Sequence, residues 1–366
     1  MRDKKWFPIA IPLCLIMFQV ANAQTWSSEG PLPRDLHSAV LDPTTNRMIV
    51  FAGYSSSANT ESSENYNDVW RLNVNSSAWT EENPKGTPPA GRVGQSAVYD
   101  PGSNRMIVFA GGLGRSSPCA NDVWALTNAN GNGGKPEWIQ LSPTGILPPA
   151  RMQHGAVYDP NTNSMIVFAG QNCFVASFSD VWVLSNANGV SGTPTWTQLS
   201  PSGGGPGICE AWHSIAYDPN TNTLMVFACN ESGPSNSFWI LSNANGQGGT
   251  PVWSELTPSG TLPPARSNNT MTYDPTTNIA TIFGGGNGTD LLGDVWALSN
   301  ANGQGGTPGW TQLAADSTYF PEARTGATAV YNSSTNKMTV FGGNISTSNA
   351  LFTNDVFVLS KANGQQ

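Results

Sequence analysis

Residues 151–170, RMQHGAVYDPNTNSMIVFAG, with residues 179–189, SDVWVLSNANG, and 195–199, TWTQL, decide the fold. They read as four short strands, over 154–158, 164–169, 180–184 and 195–199. Each has the length and the β-branched or aromatic content of a strand, with turn residues at its boundaries. Between the first two, Asp-Pro-Asn-Thr-Asn makes a tight hairpin connection. Pro160 presets φ for the turn, and Asn163 tolerates the left-handed conformation that ends it. Four up-and-down strands form a small twisted sheet that cannot bury its own faces, so it needs copies of itself on either side.

Those copies fill almost everything after the first two dozen residues. The hairpin residue recurs as Asp42, Asp100, Asp159, Asp218, Asp274 and Asn332, at spacings of 58, 59, 59, 56 and 58. The third-strand aromatic recurs as Trp70, Trp124, Trp182, Trp239, Trp296 and Phe357. The fourth-strand Trp recurs only five times, as Trp79, Trp138, Trp196, Trp253 and Trp310. The missing copy lies at the other end. Thr25-Trp26 followed by Gly30-Pro-Leu-Pro-Arg matches Trp138 followed by Gly145-Ile-Leu-Pro-Pro-Ala-Arg. The sequence therefore predicts an all-β, six-bladed β-propeller with four strands per blade. The N-terminal strand completes the last blade, which leaves no open sheet edge.

The units resemble the kelch family of β-propellers. The resemblance rests on Phe109-Ala-Gly-Gly and Phe283-Gly-Gly at second-strand ends, the Asp-Val-Trp that opens the third strand, and the fourth-strand Trp. It covers residues 25–366. It implies the fold, while the function stays open, because kelch propellers serve as enzymes, binding modules and scaffolds. The copper site of galactose-oxidase-like members would need two Tyr, two His and a Cys free for a thioether. Here the Tyr residues at 99, 158, 217, 273 and 331 repeat before each hairpin and read as packing. No cofactor is expected.

Residues 1–23 read as a cleavable export signal: a basic head of Arg2, Lys4 and Lys5, an apolar run from Trp6 to Val20, and Ala21-Asn22-Ala23 as a small-x-small cleavage site before Gln24. The run is shorter than the ~20 apolar residues of a membrane span. The expectation is a monomeric secreted or periplasmic chain over 24–366, with no membrane insertion after cleavage. Charged residues are only 11% of the sequence. Losing Arg2, Asp3, Lys4 and Lys5 takes the formal charge from −8 to −10. An acidic chain with scattered Arg offers no footprint for a phosphate backbone, which excludes nucleic acid.

Four cysteines remain after Cys14 leaves with the signal, an even number in an exported chain. Cys119 and Cys173 fall in corresponding loops of blades 2 and 3. Cys209 and Cys229 flank one hairpin of blade 4. The expected disulfides are Cys119–Cys173 and Cys209–Cys229.

Two polar positions repeat. One reads Arg34, Arg92, Arg151, Glu210, Arg266 and Arg324, and the Asp that opens the third strand reads Asp68, Asp122, Asp180, Ser237, Asp294 and Asp355. Blade 4 has lost both together, as an intra-blade ion pair would require, since either partner alone would be an uncompensated charge. The other position reads His37, Gln95, His154, His213, Asn269 and Ala327. Three His in a chain invite a zinc reading. They belong to blades 1, 3 and 4, and blades 1 and 4 oppose each other in a six-blade ring, so no metal site is expected.

The hairpins on one face, Asp-Pro-x-Thr-Asn, and the Ser-Asn-Ala-Asn-Gly turns are nearly copied between blades and read as generic turn chemistry. The loops on the other face, within 54–67, 112–121, 171–179, 230–236, 286–293 and 344–354, differ in every blade. They carry apolar residues expected to be exposed, among them Phe174, Phe178, Leu291, Leu292, Leu351 and Phe352. Varied loops on a rigid scaffold are the usual seat of binding. The first reading is a recognition module for a carbohydrate, peptide or protein. Its expected pocket is bordered by Arg34, Arg92, Arg151, Arg266, Arg324, Glu210, His154 and His213. The alternative is an enzyme acting on a small anionic sugar, with Glu210 and a neighbouring His as acid and base.

Overall fold

The structure is a computed structural model that describes residues 30–56, 63–114, 118–173, 175–209, 212–230, 233–314 and 320–365. The chain is an all-β, six-bladed propeller. Blade 1 is Ser38–Asp42, Arg47–Ser56, Ser63–Asn73 and Ala78–Glu82. Blade 2 is Ser96–Asp100, Arg105–Gly112, Cys119–Thr127 and Glu137–Leu141. Blade 3 is Gly155–Asp159, Ser164–Phe168, Val181–Ser185 and Thr195–Leu199, within one residue of the sequence-based bounds. Blade 4 is Ser214–Asp218, Thr223–Phe227, Phe238–Ser242 and Val252–Leu256. Blade 5 is Thr270–Asp274, Ile279–Phe283, Val295–Ser299 and Gly309–Leu313. Blade 6 has Thr328–Asn332, Lys337–Asn344 and Phe352–Ser360 among the described residues. Its expected fourth strand, with Thr25 and Trp26, lies outside them, as does the expected signal.

Burial follows the place of each strand in its blade. Second strands such as Ser164–Phe168 are buried throughout, which is why they read as continuous apolar runs. Fourth strands such as Glu137–Leu141 bury their Trp and expose most of the rest. That Trp is the joint between blades. Trp138 packs on Phe51, Trp196 on Phe109, Trp253 on Phe168, Trp310 on Phe227 and Trp79 on Phe341, with ring centroids 4.9–5.5 Å apart. Phe283, the equivalent Phe of blade 5, lines an apolar pocket with Phe320, Met338 and Val358; the Trp expected opposite it, Trp26, lies outside the described residues. First strands of neighbouring blades touch all the way round the axis, blade 6 against blade 1 included.

The hairpin face does more than turn the chain. Tyr158 donates its hydroxyl to Asn163 Oδ1 (3.1 Å), and Asn163 Nδ2 donates to Asn188 Oδ1 (2.9 Å). Asn188 Nδ2 then donates to Asp100 Oδ2 of the preceding blade (2.7 Å). Asn130–Asp42, Asn245–Asp159, Asn302–Asp218 and Asn363–Asp274 repeat that last link. Reading these turns as generic is therefore corrected: they tie each blade to its predecessor. At the seam between blades 6 and 1, Leu41 replaces the Tyr and Asn332 the Asp, and Asn332 Nδ2 donates to Asn46 Oδ1 (2.9 Å).

Candidate functional site

The axial channel opens on the variable-loop face through a depression of about 240 Å³. Its rim is one residue from each blade: Leu36, Gly94, Gln153, Trp212, Asn268 and Gly326. All six have left-handed backbones, with φ of 54°, 60°, 57°, 96°, 55° and 68°. That conformation is costly for Leu, Gln and Trp, and such strain collects where the surroundings over-determine it. Here the neighbouring blades supply the constraint. Gly94 N–H donates to Leu36 O (2.9 Å), Gln153 to Gly94 (2.6 Å), Asn268 to Trp212 (2.6 Å) and Gly326 to Asn268 (3.1 Å). Backbone hydrogen bonds thus link the rim in two runs, across blades 1 to 3 and across blades 4 to 6. Asp35 borders it. Burial pushes its carboxyl up to about 7, although Leu36 N–H donates to its Oδ1 (2.6 Å).

Below the rim lies the ring of His37, Gln95, His154, His213 and Asn269. His37 Nε2 pairs with Thr328 Oγ1 and His154 Nε2 with Ser96 Oγ, both at 2.7 Å and both on the preceding blade. Gln95 Nε2 donates to Phe51 O (3.1 Å) and Ser38 Oγ (3.3 Å), and Asn269 Nδ2 donates to Ser214 Oγ (3.0 Å). His213 sits edge-on against Phe168, with ring centroids 5.3 Å apart. Burial, aided by the positive charge of Arg34, pushes His37 down to about 3. Burial, with the charges of Arg151 and His213, holds His154 well below the ordinary imidazole range. Both rings are therefore neutral at physiological pH. Among the described residues there is no cluster of three or more His, Cys, Asp or Glu that could hold a metal ion.

The arginines are elsewhere. Arg34, Arg92, Arg151, Arg266 and Arg324 are at most 1% exposed. Nε donates to the carbonyl two residues back: Leu32, Ala90, Pro149, Pro264 or Glu322. Nη1 donates to the carbonyl of Ala52, Ala110, Ala169, Gly284 or Gly342, at 2.8–3.0 Å. Nη1 and Nη2 together grip both carboxylate oxygens of Asp68, Asp122, Asp180, Asp294 or Asp355. Four of the five N–H groups are thus used inside the blade. Tyr66, Phe178 and Phe357 cover the guanidinium faces of Arg34, Arg151 and Arg324. Four of the aspartates also accept an indole N–H, from Trp70, Trp124, Trp182 and Trp296. This placement corrects the expectation that the arginines border the pocket. They clasp the start of each blade to its second and third strands.

Blade 4 closes the same gap covalently. Cys209 directly precedes the Arg position, and Cys229 stands where blade 3 has Gly170. Their disulfide (Cα–Cα 5.0 Å) joins the segments that Arg151 joins through Ala169 O. Ser237 donates its hydroxyl to Cys229 O (3.0 Å). The other disulfide, Cys119–Cys173 (Cα–Cα 5.5 Å), ties the variable loops of blades 2 and 3. Glu210 and Phe174 lie outside the described residues.

Of the expected pocket residues, the structure brings His154 and His213 to the mouth, where they join His37, Gln95 and the rim. Sequence reading missed the rim. Its signal was available, since Leu, Gly, Gln, Trp, Asn and Gly occupy one repeat position, and two Gly with an Asn favour left-handed backbone. A second depression of about 370 Å³ shares Trp212 and Asn268 and runs between Asp290–Leu291 and Ser346–Thr347. On the variable loops of blades 3 and 6, Val175 is 84% and Leu351 54% exposed. Phe178, expected to be exposed, is half-buried over Arg151.

A family model for the KLHDC2/KLHL20/DRC7 Kelch-repeats domain matches residues 15–206 and 193–365. Kelch domain-containing protein 3 of Bos taurus is 31% identical over 193 residues, covering 50% of this chain and 47% of that protein. Putative adagio-like protein 2 of Oryza sativa subsp. japonica is 30% identical over 243 residues, covering 61% of this chain and 34% of that protein. The matches thus span a third to a half of these relatives' length. The solved structure of YjhT superposes with a TM-score of 0.62 at 12% identity, covering 91% of this chain and 96% of that one, a likeness of fold.

Proposed function

The chain belongs to the kelch-repeat family, and from that premise we propose that it is a recognition module whose partner docks on the variable-loop face, centred on the channel mouth. The observation that carries this reading is the asymmetry between the two faces. On the hairpin face the polar side chains are spent on the repeated Asp–Asn–Tyr ties. On the other face six dissimilar loops surround a depression lined by polar side chains of all six blades. Kelch propellers act as protein-interaction modules, and a rigid ring that carries divergent loops suits that role. A peptide, protein or carbohydrate is the proposed partner. We also read the chain as exported, with residues 1–23 as its signal. Two disulfides support an oxidising destination, outside the cytosol.

The test is an array of peptides and glycans probed with the purified chain. Ligands are expected to lose signal when 286–293 or 344–351 is replaced by a Gly-Ser run. They should keep it in Asn161→Ala, a hairpin-face change that removes a bond to Pro219 O. Ligands that depend on Asn161 and ignore both loops would overturn the assignment.

A further inference from the structure

On the hairpin face the channel ends in a cavity of about 360 Å³ ringed by tyrosines. Tyr99, Tyr158, Tyr217, Tyr273 and Tyr331 come from blades 2 to 6, and Leu41 holds the position in blade 1. Each hydroxyl is fixed by the asparagine five residues on, at 3.0–3.1 Å. Two residues before each tyrosine the wall is aliphatic and uneven. Blades 4 and 5 place Ile215 and Met271 there, and the other four blades have Ala. Ile215, Tyr273 and Tyr331 are part-exposed, so a molecule in the cavity can touch them. Such an aromatic and aliphatic wall suits a small-molecule site.

Charge narrows the ligand. Behind this ring lie the carboxylates of Asp42, Asp100, Asp159, Asp218 and Asp274, each at most 6% exposed. Their bonds come from neutral donors, as Asp159 shows with Asn161 N–H, the Thr162 hydroxyl and Asn245 Nδ2. Those bonds satisfy the oxygens and leave the charge in place. Among the described residues no ion pair includes any of the five. Burial would raise the carboxyls of Asp100 and Asp274. Bonds from Asn188 and Ser103, and from Thr277 and Asn363, outweigh it and hold both below the ordinary range, so both are ionised at neutral pH. Burial, and then the charges of Asp218 and Asp274, push the Tyr273 hydroxyl up. Cations offset this ring on one side only. Arg47, Arg105 and Lys337 follow the hairpins of blades 1, 2 and 6. Between Arg151 and Arg324 the only Lys or Arg is Arg266, locked on Asp294, against eleven Asp and Glu. The cavity is therefore most negative beside blades 3 to 5.

The carboxylates act through their field and not by contact, since Asp159, Asp218 and Asp274 are only 1–3% exposed. A primary ammonium would shed water on entry and find no carboxylate to bond. A quaternary ammonium is weakly hydrated and needs no such bond. The field and the quadrupole of a tyrosine ring suffice to hold it. We propose that the hairpin-face end of the channel binds a small quaternary ammonium ion, seated against Ile215, Tyr273 and Tyr331, with Asp159, Asp218 and Asp274 balancing its charge. The site lies on the face opposite the variable loops and does not rest on the recognition-module reading.

The test titrates the full chain with choline, its uncharged carbon isostere neohexyl alcohol, its primary-amine counterpart ethanolamine, and the anion pivalate. Binding is read by calorimetry and by NMR. Choline is expected to bind, with neohexyl alcohol and ethanolamine at least tenfold weaker and pivalate silent. Tyr273→Leu should weaken choline at least tenfold. Tyr273→Phe loses only the hydroxyl bond to Asn278 and should keep it. Ile279→Lys gives blade 5 the cation that Lys337 gives blade 6, at a position outside the cavity wall. It should weaken choline at least threefold, with Tm reporting that the fold survives. The proposal fails if choline does not bind, if neohexyl alcohol or ethanolamine binds as tightly, or if Tyr273→Leu binds as the parent does. Should Tyr273→Leu not fold, an affinity unmoved by Ile279→Lys sinks the proposal. Choline binding that vanishes when 286–293 is replaced by a Gly-Ser run, and ignores Tyr273→Leu, would move the ligand to the variable face and overturn the assignment. Silence of choline beside a loop-dependent array ligand would overturn this site and leave the recognition reading standing.

Discussion

Blade 4 and the other five solve one problem in two ways. Each blade must fasten the segment entering its first strand to the far ends of its second and third strands. Five blades do so with a buried guanidinium that grips a carboxylate and two backbone carbonyls. Blade 4 does so with the Cys209–Cys229 bond and a serine hydroxyl on Cys229 O. The ionic clasp places a charged group in a dry site and must satisfy nearly all its donors there. The covalent clasp carries no charge and needs no such shell. The comparison teaches that the arginines are structural, since another chemistry replaces them at the same junction.

The largest effect should come from breaking one ionic clasp. In Arg151→Met the Asp180 carboxylate loses its bidentate partner while 16% exposed, and Trp182 N–H is left to hold it alone. Removing one partner of a buried pair typically costs about 3–5 kcal/mol. Thermal or urea unfolding of the variant should show a loss of that order. An unchanged midpoint would return the arginines to the pocket hypothesis.

Next comes the covalent clasp. Cys209→Ser/Cys229→Ser should cost about 2–4 kcal/mol, as does removal of a typical disulfide. Hydrogen exchange should rise first in blade 4. A uniform rise over all blades would mean that the bond does not act as the local clasp. Adding Glu210→Arg and Ser237→Asp to that variant rebuilds the ionic version and should recover about 1 kcal/mol, the net scale of a charge-assisted hydrogen bond. No recovery would show that the two chemistries are not interchangeable here.

The smallest effect is one of pH. Burial alone would raise the carboxyls of Asp122, Asp294 and Asp355, but bonding and charge from Arg92, Arg266 and Arg324 outweigh it and leave them below the ordinary range. A depressed folded pKa stabilises above the unfolded value of about 4, and the contribution is lost as pH falls through the folded value. Blades 2, 5 and 6 should therefore loosen below about pH 4 in exchange experiments corrected for intrinsic rate. The clasp of blade 4 should respond to reductant instead. Equal acid loosening at Cys209–Cys229 would erase the distinction.

Much of this was legible in the chain itself. Strand positions, turn residues, six units and the two cysteine pairings follow from signals within one repeat or from matching copies. The joint loss of Arg and Asp in blade 4 already pointed to their pairing. The direction of the guanidinium was not legible. It depends on a carbonyl 18 residues away and an aspartate about 30 away, which meet only when the blade is assembled. The rim was hidden for a related reason: its left-handed backbones are sustained by bonds to the neighbouring blade, some 58 residues distant. Only Gly94, Asn268 and Gly326 hint at it in the sequence; Leu36, Gln153 and Trp212 do not.

By itself, then, the sequence determined the repeat, the strand order, the propeller and the covalent links, because alternating burial, turn propensity and cysteine placement act over short distances or recur in register. Only the tertiary structure decided which polar groups are spent and which are left over. The arginines, prominent in the sequence, spend four of their five N–H groups inside their own blades. Gln95 and Asn269, which read as degenerate histidine positions, keep an acceptor that no protein group bonds. That division depends on donors and acceptors brought together from neighbouring blades, and only the closed ring sets their geometry.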